Sequence, residues 1–162
     1  MNDNEPLRLL ADGMLGRLAK WLRLLGYDTA YDNTATDAEL ARRARAEGCV
    51  LLTRDHELAA RRGLSTLLIE SQVVEEQVRQ VQDALGPSPH PALSRCAVCN
   101  GLLEPVAPVE VAGRVPPYVL KTQTEFCRCP GCGRVYWPGT HLQAMRGQIE
   151  KFTNEKEKAD DA

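Results

Sequence analysis

The chain has 162 residues, a formal net charge of -2 and a pI near 5.9, with 43% apolar and 26% charged residues. These are ordinary globular values, which exclude wholesale disorder, and the charge balance gives no basis for bulk polyanion binding. A nucleic-acid partner would need a local basic patch. The sequence holds no apolar run of about 18 residues to span a membrane. Met1 to Glu5 lack the basic and apolar regions of a secretory leader, so a cytoplasmic location is expected.

Residues 7–12 read as a buried first strand ending on Asp12. Residues 14–25 then place Leu15, Leu18, Leu22 and Leu25 on one helical face and Arg17, Lys20 and Arg23 on another, with Gly26 suited to the position after the helix. Tyr27 to Tyr31 form the second strand. Thr36 followed by Glu39 is a capping-box signature, so a helix opens at Asp37, and Gly48 stops it. Cys49 to Thr53 is a short apolar run that reads as a buried strand, with Cys49 a small apolar residue. Asp55 follows directly. His56 to Arg62 form a short helix closed by Gly63, and Thr66 to Ile69 form the fourth strand. Ser71 is placed to cap a last helix carrying Val74, Val78, Val81 and Leu85.

Strand and helix alternate throughout, which implies an α/β fold with a parallel sheet. The expected spatial order is 2-1-3-4. It sets the first and third strands side by side, so that Asp12 and Asp55 emerge together at the carboxyl edge, where open α/β sheets hold their chemistry. Any order that parts those strands parts the acids.

Gly86-Pro87-Ser88-Pro89-His90-Pro91 is too rich in proline for an element interior. The organisation expected is therefore an α/β domain over 5–86, a linker over 87–92, a cysteine-punctuated module over 93–145 and a charged tail over 146–162.

Asp12, Asp37 and Asp55 are the candidate catalytic acids. Mg²⁺ and Mn²⁺ are hard ions that take carboxylate oxygens and water, and phosphodiester hydrolysis uses them to orient water and offset charge. Each acid also has a plain structural reading. Asp37 suits a first-turn acid facing the helix dipole, Asp55 an N-cap, and Asp12 a polar turn residue before Gly13. Arg17, Lys20 and Arg54 are candidate phosphate contacts, which would position RNA without reading its sequence. The alternative for Arg17 and Lys20 is a solvated helix face. Trp21 is expected in the core or against the second module.

Cys96-Ala97-Val98-Cys99 and Cys129-Pro130-Gly131-Cys132 have the spacing of two zinc knuckles, each followed closely by a glycine (Gly101, Gly133). Together they supply four thiolates for a tetrahedral structural zinc. The interval between the pairs leaves room for a hairpin around Val115 to Thr122. Cys127 is surplus to the set, and His141 reads as a polar residue closing the module, with ligation or an RNA contact as the other readings.

The stretch from Ala11 to Asp28, ADGMLGRLAKWLRLLGYD, resembles the opening of the Mut-seven C-terminal RNase family. The likeness continues through Leu51-Leu52-Thr53-Arg54-Asp55 and Cys96-x-x-Cys99-Asn100-Gly101, and ends in Cys129-Pro130-Gly131-Cys132-Gly133-Arg134-Val135-Tyr136-Trp137-Pro138-Gly139-Thr140-His141. It covers about residues 7–145. The resemblance implies a PIN-like nuclease domain fused to a zinc ribbon, and metal-dependent cleavage of RNA. PIN nucleases usually gather four acids. Asp12, Asp37 and Asp55 match the first, third and fourth, and the acid of the middle insert has no counterpart here.

The function expected is a ribonuclease in which Asp12, Asp37 and Asp55 hold Mg²⁺ or Mn²⁺ to activate water. The ribbon would carry structural zinc and offer a docking surface for RNA or a protein partner. The alternative is a non-catalytic RNA- or protein-binding adaptor on the same fold. A receiver-like phosphoacceptor is disfavoured, because Asp12 stands alone after the first strand where such proteins carry an acidic pair.

Overall fold

A computed structural model describes residues 6–139 and 142–147. Four parallel strands, β1 (Arg8–Ala11), β2 (Asp28–Tyr31), β3 (Val50–Thr53) and β4 (Ser65–Leu68), pair in the order β2-β1-β3-β4. This is the expected order, and it puts β1 against β3 with Ala11 opposite Leu52.

The alternation of side chains along each strand sorts the core into two faces. Leu9, Ala11 and Leu52 point to one cluster with Leu15, Leu18, Leu22, Val74, Val78 and Val81, from α1 (Gly16–Leu24) and α4 (Val74–Leu85). Leu10 and Leu51 point the other way, to Leu40, Ala41, Ala44 and Leu58 from α2 (Asp37–Glu47) and α3 (His56–Ala59). The sheet is thus sandwiched between two helical layers. Leu142 and Met145, far along the chain, return to the first cluster, so the end of the cysteine module is fastened to the α1/α4 layer.

Local signals explain most element boundaries. Thr36 Oγ1 accepts from Glu39 N–H while the Glu39 carboxylate accepts from Thr36 N–H, completing the capping box of α2. Gly48 ends that helix in a left-handed conformation. At the start of α4, the Ser71 hydroxyl accepts from Val73 N–H and pairs with Glu76, but Val73 holds the N-cap position.

The second sheet is antiparallel, β5 (Glu104–Val106), β6 (Phe126–Arg128) and β7 (Val135–Tyr136), in the order β5-β6-β7. Behind it Val111, Val115, Val119 and Phe126 form a small core. The hairpin expected around Val115 to Thr122 is not formed. Residues Pro117–Thr122 make the short helix α5 instead. Pro116 and Pro117 explain this, since neither can donate to a strand ladder and a proline at the first helical position is pre-set for a helix. The hairpin lies later, at β6 and β7, which carry the second cysteine pair between them. His141 and residues 148–162 lie outside the described residues.

The linker packs on the C-terminal end of α1. Leu93 N–H donates to Leu24 O at 2.8 Å. Gly26 has φ +101°, and a Cβ there would stand 2.5 Å from His90 O and 2.7 Å from Pro91 O. Both the torsion and the close backbone approach require glycine. Gly26→Ala is expected to cost about 1–3 kcal/mol from backbone strain, with more from the displaced linker, read as a lowered midpoint in urea unfolding. Next to it, Tyr27 is 1% exposed and its hydroxyl donates to Gly86 O at 2.7 Å. Burial pushes its phenol up to about 12. The folded state therefore favours the protonated ring, and its contribution is present below about pH 10, the unfolded value, and lost as pH rises toward 12. Stability should fall over that alkaline window, and Tyr27→Phe should flatten the fall.

Candidate active site and metal centre

The carboxyl ends of β1 and β3 build the first site. Asp12 N–H continues the ladder to Leu52 O at 3.0 Å, which sets Asp12 opposite Thr53. Thr53 is fully buried at the last position of β3, and its hydroxyl donates to Asp12 Oδ2 at 2.5 Å. The same hydroxyl oxygen accepts from Asp55 N–H at 3.0 Å. One threonine therefore ties the carboxylate of one predicted acid to the backbone of another. Asp12 is 6% exposed, and its Oδ1 accepts from Met14 N–H. Each oxygen has one fixed partner and lone-pair capacity for a cation.

Asp55 is the N-cap of α3: its Oδ1 accepts from the N–H groups of Glu57 and Leu58. Both bonds fall on one oxygen, so Oδ2 of this exposed residue is not used by the cap. The structural reading of Asp55 as a cap is thus correct, and it leaves the residue at the rim. Asp37 is the exposed first residue of α2. The loop before it leans on the Asp12 turn, since a Cβ on Gly13 would sit 3.3 Å from Asn33 Cα, and the Tyr31 hydroxyl donates to Gly13 O at 2.9 Å.

Asp12, Asp37 and Asp55 share one end of the sheet, but their oxygens are not drawn into a tight cluster. Among the described residues the four knuckle thiols are the group of metal-ligating atoms gathered that closely.

Asp32 escaped the sequence reading. It follows Tyr31, which is in register with Ala11, so it opens the same rim one strand over from Asp12. Its Oδ1 is held by Thr34, whose hydroxyl and N–H both donate to it and keep its carboxyl below the usual range. Position after a strand was the available signal. Thr53 was also missed, because a threonine ending an apolar run carries no mark of its partner 41 residues away.

Of the basic candidates, Arg17 and Lys20 are exposed on α1. Arg54 is half-buried, and its Nε is buried with no partner. Arg23, which the helical periodicity grouped with the exposed Arg17 and Lys20, is 8% exposed and belongs elsewhere. Its Nε donates to Thr29 O at 2.8 Å, and its Nη1 donates to Ala97 O and Val98 O, both at 3.0 Å. Those carbonyls lie between the two cysteines of the first knuckle.

The second site is the cysteine cluster. Sγ atoms of Cys96, Cys99, Cys129 and Cys132 all lie within 4.8 Å of one another, with Cys96 to Cys132 at 3.5 Å and Cys99 to Cys129 at 3.4 Å. Thiolates about 2.3 Å from a tetrahedral zinc stand about 3.8 Å apart. The donor set and its spacing fit zinc.

Both knuckles are built alike. Cys96 O accepts from Asn100 N–H and Cys129 O from Gly133 N–H, while Cys96 N–H donates to Gly101 O and Cys129 N–H to Arg134 O. The left-handed residue of each turn is the one after the second cysteine, Asn100 (φ 67°) and Gly133 (φ 78°). In the first knuckle that position is thus Asn100 and not Gly101. Gly101 serves in another way, since a Cβ there would crowd Cys99 and Cys129 Sγ at 3.4 Å.

Burial pushes the Cys96 thiol up, but hydrogen bonds from the Tyr136 hydroxyl, the N–H groups of Cys99 and Val98, and Cys132 hold it down to about 6. Cys99 moves the other way: the Gly101 N–H pulls its thiol down, but its hydrogen bonds to the neighbouring sulfurs and burial push it up to about 11, so metal, which requires the thiolate, must displace a proton there. Cys127, on β6, is half-buried outside the cluster, and burial and Glu125 keep its thiol protonated. Cys49 is buried in the second core face, as expected of a small apolar residue.

The molecule is thus a helix-flanked parallel α/β sheet with acids at its carboxyl end, joined to a four-cysteine ribbon. The family model described as Mut7-C RNAse domain matches residues 7–149, and the chain belongs to that family. A ribonuclease-type function follows from that membership. Searches of curated proteins and of solved structures find no match. Among the described residues no helix is long and apolar enough to cross a membrane.

Metal analysis of the purified chain should find one zinc per chain. Cys99→Ser and Cys132→Ser should each lower that content, and a strong chelator should abolish the ribbon's cooperative unfolding.

Proposed function

We propose that the chain is a Mg²⁺- or Mn²⁺-dependent ribonuclease acting at the carboxyl rim of the parallel sheet. The observation that carries this reading is the Asp12–Thr53–Asp55 linkage. It ties a buried carboxylate to the backbone of an exposed aspartate at adjacent strand ends, where an α/β sheet places its chemistry. Asp12, Asp55 and Asp37 would hold the metal, the first two as fixed ligands and Asp37 from the start of α2. A divalent cation bound there lowers the pKa of its water and offsets the charge of the phosphodiester transition state.

The chain's own residues have separable roles. Thr53 donates to Asp12 Oδ2 and so holds that carboxylate in one orientation, as an outer partner does for a metal ligand. Met14 N–H and the backbone N–H groups at the start of α3 hold the other oxygens still. Arg17 and Lys20, exposed along α1, grip the phosphates on either side of the scissile bond. Arg54, flanked by Thr53 and Asp55, is the cation nearest in sequence to the rim acids and orients the phosphate. The zinc is structural. A cytoplasmic location and a protein partner for the ribbon belong to the same reading.

A non-catalytic RNA-binding adaptor is the second reading, and the loose spacing of the three acids favours it.

The two readings part on one measurement. Asp12→Asn and Asp55→Asn should each reduce Mn²⁺-dependent cleavage of a labelled RNA to background, with zinc content and thermal stability near those of the parent. Thr53→Val should cost about 10–100-fold, the usual effect of losing an outer partner. A parent that binds RNA yet cleaves none in Mg²⁺ or Mn²⁺ would establish the adaptor.

A further inference from the structure

Where the ribbon meets α1 it leaves an open cleft of about 520 Å³. Its walls carry Trp21 from α1, Tyr118 from α5, and Tyr136 and Trp137 from β7 and the segment after it. An adjoining cleft shares Lys20, Tyr136 and Trp137 with the first and adds Arg114 and Arg134. No aspartate or glutamate lines either one. In a chain of net charge -2, a groove walled by aromatic rings and arginines and free of acids is a local departure from the average surface.

We propose that this groove is a binding site for single-stranded RNA, in which bases stack on the aromatic rings and phosphates run along Lys20, Arg114 and Arg134. The proposal rests on the ribonuclease reading above and deepens it by naming the form of the substrate. Base-to-ring stacking is tolerant of sequence, and cationic groups tracking the backbone complete the usual single-strand platform. A duplex keeps its bases stacked inside and cannot offer them to the rings.

The chemistry of the walls supports stacking over other uses. Tyr118 is 68% exposed, so its ring is open to a base. The Tyr136 hydroxyl is held by Ala97 N–H and Cys96 Sγ, which fixes its ring. Trp137 is braced by the tilted ring of Phe126, with centroids 6.2 Å apart. These are rigid faces, pre-set at little entropic cost.

The groove is also aligned with the rim. Lys20 sits in both clefts, while Asp12 precedes the same helix, with Leu15 N–H bonded to Asp12 O. At about 1.5 Å per residue, Lys20 lies about 6 Å along the axis from the start of α1. A strand held in the groove can therefore continue past Arg17 to the acids.

The chain's two tryptophans, Trp21 and Trp137, both line this groove, so intrinsic fluorescence reports directly on its occupancy. The experiment titrates zinc-loaded full chain with a single-stranded oligoadenylate of about ten nucleotides, without added Mg²⁺ or Mn²⁺. Saturable quenching is expected. A duplex of matching length should quench weakly, and Tyr118→Ala and Arg134→Gln, both at exposed positions, should each weaken the single-strand affinity about tenfold. Asp55→Asn should quench like the parent while failing to cleave, which separates this site from the catalytic one. No saturable quenching, equal quenching by duplex, or unchanged affinity in both Tyr118→Ala and Arg134→Gln would overturn the proposal. Loss of cleavage in the parent with quenching intact would overturn the catalytic reading alone.

Discussion

The buried guanidinium of Arg23 joins the two halves of the molecule. Removing a cation from water costs several kcal/mol unless its donors are satisfied. Here they are met by carbonyls from two sources, Thr29 on β2 and Ala97 and Val98 in the first knuckle. Desolvation lowers its pKa, while the Cys96 and Cys99 thiols and Asp28 pull it back up. Four thiolates around a zinc would carry net negative charge, which the cation that locks the knuckle to the sheet would offset. One side chain thus ties the first knuckle, which carries two of the four candidate zinc ligands, to the sheet.

Asn100 extends that joint along an exposed edge. β2 is the outer strand of the parallel sheet, and an unpaired edge invites association. Asn100 Oδ1 accepts from Thr29 N–H, and its Nδ2 donates to Asp28 Oδ1 at 2.7 Å. Asp28 in turn faces Arg8 and Arg95. The left-handed turn residue of the first knuckle thus serves as the cap of a strand in the other sheet. Asparagine tolerates that backbone conformation and brings a side chain able to donate and accept, which glycine lacks. This accounts for an asparagine at the left-handed position of the first knuckle where the second has Gly133.

The parts of this architecture legible in the sequence were those set by local chemistry. The Thr36–Glu39 box, the Gly48 stop and the alternating apolar runs specify α2 and the strands within a residue or two. The 2-1-3-4 order followed from asking which arrangement brings Asp12 and Asp55 together, and the cysteine spacing alone pointed to the zinc-suited cluster. What stayed hidden depends on contacts between distant segments. Arg23 is indistinguishable from Lys20 by helical position until the ribbon covers it, and its two knuckle bonds span 74 and 75 residues. Thr53 and Asn100 hide for the same reason. The helix at Pro117 was legible and was misjudged, because room in the interval outweighed the paired prolines.

The contrast between the two sites follows from the ions each would hold. Thiolates meet zinc directly and at short range, so the knuckles must bring four sulfurs together, and the hydrogen bonds that repeat in both turns aim the cysteines at one point. Carboxylates gathered as closely would repel one another, and one of them would take up a proton. Magnesium does not ask for such a cage, since it keeps several waters and is bound through one or two carboxylates together with substrate phosphate. In the proposed nuclease, Asp12 and Asp55 are each anchored through one set of bonds, while Asp37 sits exposed at the head of α2. The remaining coordination then falls to water and to the RNA phosphate, which ties productive metal binding to the presence of substrate. A rim that is ordered at two acids and completed by its substrate suits a hydrolase whose metal is fully coordinated only with RNA in place.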